Sequence, residues 1–109
     1  MLKKAQRLSR TDFATYFKAG KRLHADCATL IFHSHPTFHG SVVVSKKVSK
    51  LAVTRNTIRR RVYTQLYKLP LERKNGVFIV VIKPTYSLLT KQSARTQMQL
   101  LIERAAKPA

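Results

Sequence analysis

The sequence predicts an α+β fold, a compact sandwich of one sheet and a few helices. Three observations carry this. Apolar residues recur at helical spacing in three segments, two stretches alternate or β-branch like strands, and Val77, Phe78, Ile79, Val80, Val81 and Ile82 form an apolar run sized for a central strand. That run is far shorter than the ~20 residues a membrane-spanning helix needs. The order read from the chain is helix, hairpin, helix, strand, helix. With 109 residues and 12.5 kDa, one domain over residues 1–109 is expected, able to bury roughly 65% of its unfolded surface.

The first helix is placed at about 10–19. Ser9 stands three residues ahead of Asp12, a start resembling a capping box, and Phe13, Ala14 and Phe17 follow before Gly20 stops the run. Residues 23–33 carry two interleaved sets, Leu23, Ala25, Cys27, Thr29 and Ile31 against His24, Asp26, Ala28, Leu30 and Phe32, which predicts one strand. The stretch 35–40, with Pro36 and Gly40, supplies turn residues. Val42, Val43, Val44 and Ser45 then give a β-branched partner, so a hairpin with a medium loop is expected. Ile58, Val62, Leu66 and Leu69 mark a helical stripe over about 54–69, closed by Pro70. Asn75-Gly76 signals a turn into the apolar strand, and Pro84 ends that strand. Thr90 is the expected cap of a last helix that carries Ala94, Met98, Leu101 and Ala105 on one face.

Lys and Arg number 22 against 4 Asp and Glu, a formal charge of +18. A hydrophobic fraction of 44% is too high for a disordered basic tail, so a packed core and a self-repelling surface must coexist. Such repulsion lowers stability unless a polyanion offsets it, which makes nucleic acid the expected partner. The charged N-terminus has no apolar stretch of ~7–15 residues behind it, so no secretory signal is read and a cytoplasmic protein is expected. Cys27 is the only cysteine, which excludes an internal disulfide and a multi-cysteine zinc site and suits a small core residue.

The charge is concentrated. Lys46, Lys47, Lys50, Arg55, Arg59, Arg60 and Arg61 lie within sixteen positions that hold no acid. At about 100° per residue, Asn56, Arg59, Arg60 and Tyr63 fall on a broad arc away from the apolar stripe, and Arg55 flanks its start. One face of the helix packs and another meets phosphate, with the arginines forking onto phosphate oxygens and Asn56 donating to phosphate or sugar. Lys46 and Lys47, just past a strand end, either face RNA or blunt an edge strand.

A protein nuclease using two metal ions wants converging carboxylates. Here Asp12, Asp26, Glu72 and Glu103 stand on four separate segments, so no catalytic residue and no metal site is expected in the protein. His33, His35 and His39 surround a turn with neither acid nor sulfur near in sequence and read as polar surface residues. Phe13 and Phe17 read first as core packing and second as stacking surface, and Tyr16 as a lesser stacking candidate off that stripe.

Val44-Ser45-Lys46-Lys47-Val48 followed by Ala52-Val53-Thr54-Arg55-Asn56-Thr57-Ile58-Arg59-Arg60 resembles the signature of the bacterial ribonuclease P protein component. Arg7-Leu8, Asp12-Phe13, Phe17 and Gly20 resemble that family's opening, and Lys83-Pro84 with Leu89-Thr90 its last strand and final helix. The likeness covers nearly the whole chain. The departures are Ser49-Lys50-Leu51, one residue longer than the family's loop and without its glycine, Tyr63 where a further arginine is frequent, and Gly76 where an acid is frequent.

The resemblance implies a two-layer α/β sandwich of order α-β-β(-β)-α-β-α. Its sheet would be mixed, with a left-handed βαβ crossover, ribosomal protein S5 domain 2-like. It implies an endoribonuclease subunit, monomeric within a ribonucleoprotein and not bound to membrane, whose partners are ribonuclease P RNA and precursor tRNA. Lys46, Lys47, Lys50, Arg55, Asn56, Arg59, Arg60 and Arg61 would bind RNA. Phe13, Tyr16 and Phe17 would border a cleft for the 5′ leader, and Mg²⁺, held mainly by the RNA, would serve the cut. The alternative is a general RNA-binding or ribosome-associated module on the same fold.

Overall fold

The computed structural model describes residues 8–69 and 75–106. Pro70, the expected stop of the basic helix, and the tail at 107–109 lie outside the described residues, as do Arg7 and Glu72. Helix α1 (Arg10–Ala19) begins at the expected cap, where Ser9 Oγ accepts the backbone N–H of Asp12 at 3.1 Å. Gly20 ends it because the backbone there runs too close to its neighbours for a side chain. A Cβ would lie 2.5 Å from Ile31 Cγ2 and 2.8 Å from the Tyr16 carbonyl oxygen.

The expected single strand over 23–33 is two strands, β1 (Lys21–His24) and β2 (Ala28–His33), paired antiparallel with Lys21 opposite Phe32 and His24 opposite Thr29. The chain reverses at residues 25–27, where the Ala25 N–H donates to the Ala28 carbonyl at 2.9 Å. The alternation runs through the turn by coincidence, because Cys27, inside the reversal, is as buried as a strand residue. Lys83 pins this turn from a distance. Its backbone N–H donates to Cys27 at 2.8 Å and its Nζ to the Ala25 carbonyl at 2.9 Å.

The expected hairpin between β2 and the next strand does not form. β3 spans Phe38–Val43, so His39 and Gly40 belong to a strand and not to a turn. The sheet order is β1-β2-β4-β3, with β4 (Gly76–Ile82) inserted between the two, antiparallel to β2 and parallel to β3. The physical reason lies in β4 itself. Val77, Phe78, Ile79, Val80 and Ile82 are all buried, a strand apolar on both faces, and such a strand belongs in the centre of a sheet with layers on either side. Parallel neighbours need a crossover, and α2 (Ala52–Tyr67) supplies it. Helix α2 starts two residues before the expected boundary.

After β4 a 3-10 turn (Pro84–Leu88), absent from the sequence reading, leads into α3 (Lys91–Ala106). Thr90 caps α3 as expected, its Oγ1 accepting the Ser93 N–H at 3.1 Å. Helices α2 and α3 form one layer. Ile58, Val62 and Leu66 from α2, with Ala94, Met98, Leu101 and Ile102 from α3, close on Ala28, Leu30, Phe78, Val80 and Ile82. Helix α1 lies on the opposite face, where Phe13, Tyr16 and Phe17 pack on Ile31, Val77 and Ile79.

Val62 is fully enclosed at the meeting of α2 with the sheet. Val62→Ala should cost about 1–3 kcal/mol through the cavity it leaves, read by chemical denaturation. A variant as stable as the parent would show that the helix is rotated from this assignment.

Candidate nucleic-acid interface

Burial of the Ile58, Val62 and Leu66 stripe decides where the charges of α2 go. They separate onto two flanks. On one, Asn56, Arg59 and Tyr63 follow the sheet side; on the other, Arg60, Arg61 and Lys68 face α3. Arg60, Arg61 and Asn56 are exposed and Arg59 is half-buried. The first turn of α2 holds no acid, and its N-cap residue, Leu51, makes no side-chain cap, so the leading N–H groups of this end are not claimed by a side chain.

The arginines are oriented by neutral acceptors. Arg59 Nη1 donates to Asn56 Oδ1, one helical turn back. Arg55 Nη1 donates to the carbonyls of Ser49 and Lys50 at 2.9 and 3.0 Å, so part of its guanidinium organises the loop that holds the additional residue. That loop is anchored by Val44 and Val48 in the core, while Lys46, Lys47 and Lys50 stand exposed along it. Tyr63 uses its hydroxyl internally. It accepts the N–H of Val42 on edge strand β3 at 3.2 Å, which ties the ring to the sheet and leaves the phenolic O–H as the group it can still donate.

The aromatic candidates lie on the other side of the sheet. Phe13 and Phe17 are stacked with centroids 5.6 Å apart, and Tyr16 is half-buried beside them instead of off their stripe. Helix α1 contains no fully buried residue, so its apolar side rests on the sheet with the aromatic side chains half-exposed. Its neighbours across the sheet, Ser41, Val43 and Val81, are half-exposed, whereas Phe78 and Val80 on the opposite face are buried.

Two contributors escaped the sequence reading. Arg22 sits with its guanidinium carbon 4.7 Å above the Phe17 ring while its Nη2 donates to the Phe17 carbonyl at 2.9 Å, closing one ring face with a cation. The histidines join Tyr16: its ring is 5.0 Å from His33 and 6.1 Å from His35, and His35 meets His39 edge-on at 4.7 Å. Thr37 Oγ1 bridges His35 Nδ1 and His39 Nε2 at 3.0 and 2.8 Å. His39 Nδ1 is buried without a hydrogen-bond partner, and burial, with the nearby His35, holds the pKa of that ring below its ordinary value. Residues 33–39 had the right types in sequence, but only the β2–β3 geometry brings them to α1.

Among the described residues, no three His, Cys, Asp or Glu side chains are grouped so that they could hold a metal ion. Asp12, Asp26 and Glu103 are exposed on α1, the β1–β2 turn and α3. The Cys27 thiol is buried and its pKa is raised by that burial, opposite to what a reactive thiol requires. Among the described residues, no helix is long and apolar enough to cross a membrane.

A mixed sheet with helices on both faces, one of them carrying cations that have no carboxylate partner among the described residues, defines a small basic protein built on an α/β sandwich. The profile of the Ribonuclease P family matches residues 2–106, and the chain belongs to that family. A ribonuclease P protein component from a Pseudanabaena species is 39% identical over 99 residues, covering 82% of this chain and 85% of the relative. Its counterpart from Streptococcus equi subsp. equi is 29% identical over 108 residues, covering 95% and 89%. The fold is that of the Staphylococcus aureus RNase P protein, with a TM-score of 0.84 at 21% identity over 94% of this chain and 96% of that one. The Thermotoga maritima RNase P protein matches with a TM-score of 0.76 at 24% identity, over 90% and 96%.

Arg55→Ala should release the loop carbonyls and lower stability by about 1–2 kcal/mol in urea denaturation, since the bonds lost involve a charged donor. A second expectation concerns acid. Because folding lowers the pKa of His39 from its ordinary 6.5, the unfolded chain takes up that proton first. Its contribution is complete above pH 6.5 and lost as the pH falls below it. Thermal melts between pH 7.5 and 5 should show a smaller loss for His39→Gln than for the parent; equal losses would remove His39 as the cause.

Proposed function

We propose that this chain is the protein subunit of ribonuclease P. In this reading it binds the catalytic RNA through α2 and the loop at 45–51, and holds the 5′ leader of precursor tRNA in the cleft between α1 and the sheet. Assembled, the ribonucleoprotein removes that leader endonucleolytically in tRNA 5′ maturation. The observation that carries this reading is the basic surface of α2, which among the described residues has no carboxylate partner and is held in place by neutral acceptors. Such a surface is arranged for an external polyanion. Family membership supports the RNA of the ribonucleoprotein as that polyanion.

The protein's own part is binding and positioning. Arg59, Arg60, Lys46, Lys47 and Lys50 neutralise phosphates and release counterions, Asn56 keeps Arg59 aimed, and Arg55 sets the path of the loop beside them. Phe13, Tyr16 and Phe17, with half-exposed Ser41, Val43 and Val81 below, offer apolar and stacking surface to unpaired leader nucleotides. The scattered carboxylates do not fit a two-metal hydrolytic centre, so Mg²⁺ belongs to the RNA in this reading, where it would supply the nucleophile and stabilise the leaving oxygen.

The test is reconstitution of the purified chain with a bacterial ribonuclease P RNA and precursor tRNA at low Mg²⁺. Stimulated leader removal is expected, with no cleavage by the protein alone. Arg59→Ala should weaken association with that RNA about 5-fold at 150 mM salt, while moving stability by no more than about 0.5 kcal/mol. Tight binding to unrelated RNAs without stimulation would instead favour a general RNA-binding or ribosome-associated module. Cleavage by the protein alone would overturn the reading.

A further inference from the structure

On the α3 side of α2 lies a furrow of about 390 Å³ whose lining includes Arg60, Arg61 and Lys68 from α2 and Lys91 and Arg95 from α3. These five cations face one concavity. Among the described residues none has a carboxylate partner, and no acid occurs between Glu72 and Glu103, so α3 cannot supply one before its last turns. Yet the two helices are held together here. Gln65, buried between the two helices, donates its Nε2 to the backbone carbonyl of Arg95 at 2.9 Å. The floor is Tyr86, brought in by the 3-10 turn, 6% exposed and with its hydroxyl against the Arg61 guanidinium. Converging like charges on two helices tied together by an amide repel one another, a cost that a counter-charge filling the space between them would relieve.

We infer that this furrow is a second phosphodiester-binding site, in which the backbone of an RNA strand lies between Arg60, Arg61 and Lys68 on one helix and Lys91 and Arg95 on the other. The inference rests on the RNA-binding reading above and extends it to α3, which that reading leaves unused. The two arginine-bearing walls grip phosphate from opposite sides, and the Tyr86 hydroxyl offers a polar partner on the floor, while Gln99 at the far end of the furrow donates its Nε2 to Glu103 Oε1 at 3.1 Å. The strand belongs to the catalytic RNA and not to the leader, because α2 and α3 cover one face of the sheet and α1 with its aromatic cleft the other.

The experiment uses the full chain carrying Lys91→Gln and Arg95→Gln together. Both side chains are exposed, and it is the Arg95 backbone, not its side chain, that receives Gln65, so the helix pair keeps its tie. A thermal melt no lower than the parent's checks this, and relief of the repulsion between the two helices should raise it slightly. Affinity for an in vitro transcribed ribonuclease P RNA should fall about 30-fold at 150 mM salt, and the slope of log affinity against log salt should become shallower by about 2. As a second measurement, Gln92→Cys carrying tethered iron-EDTA should cleave that RNA, with buried Cys27 left unlabelled. If Arg59→Ala weakens binding while the α3 double variant does not, or the tethered probe leaves the RNA uncut, the furrow is not a phosphate site and the broader reading stands. If neither variant changes affinity, the broader reading fails with it. A loss confined to precursor tRNA binding by the assembled complex would overturn the assignment to the catalytic RNA.

Discussion

Everything in this molecule follows from where β4 must go. Val77, Phe78, Ile79, Val80 and Ile82 bury both faces of one strand, so water has to be excluded from each side and from both edges. Antiparallel β2 and parallel β3 cover the edges, and the parallel partner forces the chain out through a crossover helix. That helix must bury Ile58, Val62 and Leu66 to complete the layer. Once it does, its arginines have nowhere to point but outward and towards α3. The position of the basic surface is thus a consequence of core packing.

The electrostatics are those of a chain nearly without acids. In most proteins of this size, surface cations are interleaved with carboxylates; here they are ordered by groups that carry no charge. Asn56 holds Arg59, two loop carbonyls hold Arg55, the Phe17 ring and carbonyl hold Arg22, and Tyr86 backs Arg61. A neutral acceptor fixes direction without cancelling charge, so the field reaching solvent stays strongly positive while the side chains lose rotamer freedom before a ligand arrives. Tyr63, standing where an arginine is frequent in the family, works within the fold by satisfying the edge of β3.

The two faces of the sheet are packed to different standards. Under α2 and α3 both the helix and the sheet side chains are enclosed; under α1 the sheet residues Ile31, Val77 and Ile79 are buried, but no residue of the helix itself is. An element with no fully buried residue of its own opens at lower free energy than the rest. The glycines mark where close packing returns. Gly76 has φ +150°, and a Cβ there would lie 2.4 Å from the Phe32 ring, which explains why a residue with a side chain, such as the acid frequent in the family, does not serve at this position.

Much of this was legible in the chain, and the boundary between what was and was not is physical. Local signals identified α1 with its Ser9 cap, the stripe of α2, the apolar run of β4 and the Thr90 cap of α3, because each depends on residues within a turn or two of one another. The surplus of cations over acids and the motif around Arg55 and Asn56 likewise needed no coordinates. Strand pairing did need them. The alternation over residues 23–33 is the same whether the chain runs on or doubles back at Cys27, and nothing local says that β4 will separate β2 from β3. The meeting of Tyr16 with His33 and His35, the closure of Phe17 by Arg22 and the facing of Arg61 by Arg95 across the furrow follow from that pairing. Periodicity records which side of an element is apolar; which element covers that side is settled only when all of them compete for the same core.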